Sequence, residues 1–556
     1  MRNACAIVAV TLALTSVAVA EPVDLTAMPL ASGGSATDDG GWRFDDEGYV
    51  GVYVRSDGQR PLMMTVRVDT EGDAPGLPAL RVQYGASAGD VVGGELLATG
   101  KLPAGLHLIT LAYPNDYDSD DRSLTIESLD IKGVEVLAEA TDAVALEAAN
   151  TYIEHFRRGK IEVALPEEFA GEEARVRLVR HDFNFGVNGP GGENLYLRPD
   201  AEPGSDAAKY QEFISERFNM TVPSNAGKWV YNETTRDEVD MTAPDQIAGF
   251  MGNARMHTML WAAQQEPEWV YPLLDAAAGG DEAARDELRE EISERIDYYL
   301  GERADRYREV DLLNESMHQP RYIKAFGIDG VADIFREARE TLDANGGEGT
   351  RLFLNEFNVL QWSHSLDADG EQVEYDPYAN WYREHAESIR DAGGPVGGIG
   401  VQYYADSRTA DELGDRAHSP LRIAGVLSNL GLTGLPVTLT EFEVRRGTSE
   451  RAGEMIDETF RMFFGSPHVN SALIWAVNPA GDRPPTSILV DADWNLTPAG
   501  ERFDAMMAEW TTDETVTVGD DGSLSFTGFW GEYEVTVGDE TFRLVAQPGK
   551  QARLVD

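Results

Sequence analysis

Glu309-Val310-Asp311-Leu312-Leu313-Asn314-Glu315 and Val437-Thr438-Leu439-Thr440-Glu441 are short aliphatic and β-branched runs, and each ends on a glutamate. Runs of this kind read as strands covered on both faces, the habit of parallel sheets. Working outward, further strand-like segments lie at Phe183–Val187, Asn219–Val222, Met256–Trp261, Leu352–Asn355, Gly398–Gln402 and Ala472–Val477. Helical periodicity falls between and after them, around Ala207–Arg217, Pro244–Asn253, Asp281–Leu300, Gly330–Asn345, Pro377–Asp391, Pro420–Leu430, Glu450–Phe464 and Pro498–Trp510. With the strands Glu309–Leu313 and Val437–Glu441, this alternation predicts an α/β fold, a (β/α)8 TIM barrel, within residues 138–510. A helix over Ala138–Arg158 leads into it.

The flanks have another period. Val50–Val54, Leu62–Val68, Leu80–Tyr84, Leu106–Leu111 and Leu124–Ile131 are short strands set off by Gly, Asp and Pro turns, so residues 21–137 are assigned to an N-terminal β-sandwich module. Its first stretch, residues 21–48, is rich in Gly, Ser and Asp and reads as a linker or loose lead-in. Residues 511–556 return to alternation at Val516–Val518, Leu524–Phe526, Tyr533–Val537 and Phe542–Val545, and predict a small C-terminal β appendage. Residues 1–20 read as a signal peptide: Arg2, an apolar run from Ala6 to Leu14, then Ala18-Val19-Ala20. The mature protein is therefore expected to be secreted or periplasmic, with no membrane segment. The lone cysteine, Cys5, lies inside that signal, which leaves no disulfide and no thiolate metal site beyond it.

Ninety-seven acidic against 46 basic residues give a formal net charge of -51. Such a surface repels nucleic acid and anionic lipid but carries no penalty toward a neutral polysaccharide. Polysaccharide is thus the expected partner, met by a monomer.

In a (β/α)8 barrel the C-terminal strand ends form the active face, so Glu315 and Glu441, from strands four and seven, should converge there. Two such carboxyls are what glycosidic cleavage requires. One protonates the leaving oxygen, and its ionised partner attacks the anomeric carbon or activates water. Most of the 97 acids are solvated surface, and it is position at two apolar strand ends that singles out this pair.

The series of motifs resembles the barrel of family-ten glycoside hydrolases, the β-1,4-xylanases. His181-Asp182-Phe183-Asn184-Phe185-Gly186 resembles its opening strand. Phe218-Asn219 with Asn225 and Lys228-Trp229 resembles the second, and His257-Thr258-Met259-Leu260-Trp261 with Pro267 and Trp269 the third. Asp311 to Glu315, Asn355-Glu356-Phe357-Asn358, Gly400-Val401-Gln402, Thr440-Glu441-Phe442-Glu443-Val444 and Trp475 follow in order. The resemblance implies a retaining endo-xylanase with Glu441 as nucleophile and Glu315 as acid/base, and with no cofactor for catalysis. It implies that Asn314 holds the sugar 2-OH, and that Asn225, Lys228, His257, Trp261, Gln402, Tyr404 and Trp475 form the sugar-binding surface. Departures surround this set. Ser224 stands where the family has Glu, Ala262 where it has a second histidine, and Tyr404 where a histidine contacts the nucleophile. A second Trp is missing between Asn478 and Pro485. Another β-glycan, an exo mode, or a noncatalytic glycan-binding protein are the alternative expectations.

In the N-terminal module, Asn115-Asp116-Tyr117-Asp118-Ser119-Asp120-Asp121-Arg122-Ser123-Leu124 concentrates hard oxygen ligands suited to calcium. Asp121 at the position requiring Gly, and the flanking strands, exclude an EF-hand. The stretch from Tyr113 to Gly133 is instead similar to calcium-dependent xylan-binding modules, which implies Ca2+ held by Asp116, Asp120 and Asp121.

Overall fold

The computed structural model describes residues 21–555, apart from 72–78, 85–86, 92, 115–121, 191–195, 264, 361–376, 414–416 and 480–483. The chain divides into two compact units, Met1–Glu139 and Ala140–Asp556.

In the first unit, two antiparallel sheets share one apolar core. One has Ser123–Lys132 paired to Leu62–Glu71, and the other has Gly48–Asp57 paired to Ala104–Tyr113. Alternation places Val50, Val52 and Val54 against Met64, Val66, Val68, Ile109 and Ile126 in a single cluster. The expectation of a loose lead-in over residues 21–48 is overturned. Glu21–Pro22, Leu30–Ser32, Ser35–Ala36 and Trp42–Phe44 pair with the sheets, and Leu25 and Phe44 are buried in the core. Its few apolar residues are the anchoring ones, and the Gly and Asp between them make the turns. Two further strands, Ser87–Val91 and Gly94–Gly100, escaped the sequence reading because small and glycine residues blur their alternation.

The second unit holds a closed parallel barrel: β1 (Asn184–Gly189), β2 (Met220–Pro223), β3 (Ala254–Met256), β4 (Tyr307–Asn314), β5 (Arg351–Glu356), β6 (Gly398–Ala405), β7 (Val437–Val444) and β8 (Val469–Ile474). The eight expected strands are present, and β3 is the one that moves. It stops at Met256, and the chain beyond leaves the ladder to run along β4, where the Thr258 hydroxyl and the Met259 amide both donate to the Asp311 carbonyl, each at 2.9 Å. The expected helix Asp281–Leu300 is present as Glu282–Ile296, and a helix the sequence reading missed, Val270–Ala278, precedes it. The break falls at Gly279-Gly280, where Gly280 takes φ 95° and Asp281 caps the second helix through a bond from the Ala284 amide.

The C-terminal strands form the expected small β appendage, whose sheets are completed by strands from before the barrel. Ser523–Phe529 pairs with Arg158–Ala164, and Gly531–Val537 and Asp513–Thr517 flank Glu173–His181. The strands that complete these sheets come before the barrel in sequence, so the reading of residues 511–556 by themselves missed them.

The barrel interior is charged. Arg255 on β3, fully buried, pairs with Glu309 and Asp311 on β4, its Nε lying 3.2 Å from Asp311. Arg351 and Asn470 donate to the other oxygen of Glu309 at 3.0 and 3.1 Å. Gly400 on β6 makes the room: a Cβ there would meet Asn355 Oδ1 at 2.5 Å and Arg255 Nη2 at 3.0 Å. Removing one member of a buried ion cluster leaves an uncompensated charge, which costs far more than the intact cluster contributes. Arg255→Met is expected to lower stability by about 3–5 kcal/mol at neutral pH, read by chemical denaturation. A loss below about 1 kcal/mol would mean the cluster is hydrated rather than buried.

Candidate active site

At the C-terminal mouth of the barrel, a cleft of ≈ 280 Å³ is lined by Glu315, Glu441, Lys228, His257, Trp261 and Gln402, joined by Tyr404, Trp475, Phe357 and Arg445. β4 is buried from Glu309 to Asn314 and β7 from Val437 to Phe442, so Glu315, just past β4, and Glu441, within β7, come together toward the C-terminal end of the barrel.

Glu315 lies one residue past β4, with φ 53°, a left-handed conformation that costs a non-glycine residue on the order of 1 kcal/mol. Its amide is held by the Asn355 carbonyl at 2.7 Å. Its carboxyl accepts from Trp261 Nε1 at 2.7 Å and Gln402 Nε2 at 3.2 Å. Burial pushes this carboxyl up to about 7, and the Glu356 carboxylate behind it adds to the rise against those two neutral donors. Glu356 is itself buried, takes amide bonds from Met317 at 3.1 Å and Phe357 at 3.0 Å, and pairs with His318 at 2.7 Å.

Glu441 sits in β7. Burial raises its carboxyl to about 8, and the Glu315 and Asp311 carboxylates add to the rise, against the Tyr404 hydroxyl, which donates to it, and the Lys228 ammonium. Burial holds Tyr404 far above the usual phenol range, so it remains a donor at neutral pH. A phenol donor thus stands at Glu441, and neutral donors with the Glu356 carboxylate stand at Glu315, while the Lys228 ammonium acts on both carboxyls. Burial raises both carboxyls, Glu315 to about 7 and Glu441 to about 8, and each charge acts on the other, so the two bind protons as one coupled pair.

His257 links the cleft to the barrel interior. Its Nδ1 lies 3.0 Å from Asp311 and its Nε2 3.7 Å from Glu441. Burial lowers its basicity, so the imidazole is neutral. Asp311, although buried, is held below its ordinary range by Arg255 and His257. The carboxylate fixes the proton on Nδ1 and leaves Nε2 as an acceptor facing the cleft. The backbone around it is close-packed: a Cβ on Gly227 would meet the His257 carbonyl at 2.0 Å.

The remaining sequence-predicted residues divide in two. Trp475 packs edge-on to His257 with ring centroids 5.5 Å apart, and Lys228 lies 4.8 Å over the Trp261 ring. Asn225, exposed, and Asn314, buried, lie outside the cleft lining. Asn225 accepts from Lys228 Nζ at 2.7 Å, and Asn314 accepts from Asn355 Nδ2 at 2.9 Å. Thr440 in turn donates to Asn355 at 2.7 Å, which fixes both amides and leaves Asn314 Nδ2 a buried donor with no partner among the described residues. Asp116, Asp120 and Asp121 lie outside the described residues. Sequence reasoning left Phe357 and Arg445 out of the site. Both sit just past a quoted motif glutamate or its strand, and position beyond a strand end was the available signal.

A barrel whose mouth brings two buried carboxyls into one cleft defines a paired-carboxylate hydrolase site. The model of glycosyl hydrolase family 10 matches residues 199–499, and the chain belongs to that family. Among its relatives, anti-sigma-I factor RsgI6 of Acetivibrio thermocellus is 25% identical over 404 residues, covering 70% of this chain and 46% of that protein. Endo-1,4-beta-xylanase 1 of Arabidopsis thaliana is 24% identical over 375 residues, covering 66% and 35%. The chain thus spans less than half the length of these two relatives. The crystal structure of xylanase 10B from Thermotoga maritima, at 20% identity, covers 59% of this chain and 94% of that one, with a TM-score of 0.45.

A carboxyl whose proton affinity is raised on folding favours the native state below its unfolded range and loses that contribution as pH rises through about 7. Glu315→Gln removes this loss. Its melting temperature is expected to match the parent near pH 4.5 and to exceed it increasingly up to pH 7–8, read by thermal melts across that range. A pH-independent difference would place the Glu315 carboxyl in its ordinary range.

Proposed function

We propose that the barrel unit hydrolyses the β-1,4-linked backbone of xylan, in endo mode and with retention of anomeric configuration, and that the protein is exported to do so. One observation carries this: Glu315 and Glu441 share one cleft but differ in what faces them. Glu315 protonates the leaving glycosidic oxygen while Glu441 attacks the anomeric carbon. Water, deprotonated by Glu315, then releases the sugar and regenerates both groups. The Asn314 amide is available to the sugar hydroxyl beside the nucleophile, and His257 Nε2 accepts from another. Trp475 supplies a flat apolar face to the ring. No cofactor enters, because proton transfer and attack both run through carboxyls. Membership of family 10 and the names of the plant xylanase relatives support the same reading.

The Tyr404, Ser224 and Ala262 departures favour, as a second reading, another β-glycan or release from chain ends. In both readings the N-terminal unit serves as a glycan-binding module, with calcium held by the segment containing Asp116, Asp120 and Asp121.

Glu315→Gln and Glu441→Gln are each expected to cut sugar release from xylan by at least about 10²–10⁴-fold while the fold and xylan binding persist. Proton NMR of the first product should show the β anomer. Parent-level release by either variant would remove that residue from the mechanism, and an initial α anomer would replace retention by inversion.

A further inference from the structure

Arg445 is a cation that the hydrolytic chemistry does not use. It lies just past β7, lines the same cleft as Glu315 and Glu441, and its side chain is 58% exposed. Its guanidinium is centred 3.7 Å over the Tyr404 ring, and its Nε lies 3.5 Å from Glu443. Those two contacts hold the plane of the group in place. Nη1 and Nη2 donate to nothing among the described residues. The neighbouring cations differ. Lys228 is buried, bonded to Asn225 and committed to the two carboxyls, and Arg408 is bonded to Asp406 through two nitrogens.

An oriented guanidinium with its outer fork open matches a carboxylate in bidentate geometry, a fit that hydroxyls of a neutral sugar do not reproduce. The stacked ring also limits the entropy lost on binding. The net charge of -51 opposes an acidic polymer at long range. That field is screened beyond roughly 8 Å at physiological salt, so contact with Arg445 decides inside the cleft.

We propose that Arg445 recognises a carboxylate carried on the glycan, so that the substrate class is a β-glycan bearing uronic acid side groups; this rests on the hydrolase reading above. The test compares kcat/KM on glucuronoxylan with that on the same polymer after its carboxyls are reduced to alcohols. The parent protein is expected to favour the carboxylated polymer about tenfold, and added salt should shrink the ratio. Arg445→Met keeps an apolar stem over Tyr404 and is expected to bring the ratio to about one, while Arg445→Lys retains part of it. Equal rates of the parent on both polymers would overturn the proposal and leave the hydrolase reading intact. So would an Arg445→Met variant that slows both polymers by the same factor, which would show Arg445 acting only through Tyr404. If the parent released sugar from neither polymer the hydrolase reading would fail. Recognition is then read by calorimetry of uronic acid-bearing and carboxyl-reduced xylo-oligosaccharides, where equal affinities overturn it and a preference abolished in Arg445→Met sustains it.

Discussion

The buried pairing of Arg255 with Glu309 and Asp311 constrains everything above it in the barrel. Three charges without solvent are tolerable only if their partners are held in register, and here β3 and β4 supply all three from adjacent strands. Once Asp311 is fixed as a carboxylate, its remaining capacity goes to His257, which sets the imidazole tautomer and aims the other nitrogen toward Glu441. A cluster that contributes little net stability thus acts as a template. Its role is to leave one arrangement of donors and acceptors at the mouth.

That template explains how two buried carboxyls in one cleft acquire different surroundings. Burial alone raises both and distinguishes neither. The distinction comes from what each faces, and the facing groups arrive from different strands: Tyr404 from β6 for Glu441, and Gln402 from β6 with Glu356 from β5 for Glu315. Moving any one strand by a residue would turn its side chain to the other face and exchange a donor for an apolar group. Closure of the barrel is therefore an electrostatic requirement as much as a packing one.

Much of this was legible in the sequence, because period and strand-end position are local signals. The apolar runs before Glu315 and Glu441 located β4 and β7, and the alternation of strands and helices gave the barrel. What was not legible depended on partners distant in sequence. The strands between Asp513 and Val555 looked like a complete appendage because Arg158–Ala164 and Glu173–His181, which they pair with, lie more than 300 residues earlier. Residues 21–48 looked loose because a strand of two or three residues has no measurable period. Met256–Trp261 looked like one strand because its composition is apolar, whereas the bonds that pull it away come from the Asp311 carbonyl on β4. Phe357 and Arg445 were missed for a related reason: residues beyond a strand end carry no periodic signal.

The substitution of tyrosine at position 404 joins these strands of argument. A histidine at such a place brings its own titration to Glu441. A buried phenol does not titrate near neutrality, and it offers a single donor and a broad aromatic face. The donor goes to Glu441 and the face carries Arg445. One side chain thereby couples the charge state of Glu441 to the placement of the cleft's open guanidinium, which an imidazole ring, smaller and itself protonatable, would do less well. The departure from the family pattern thus changes the lining of the cleft while both carboxyls keep their places in it.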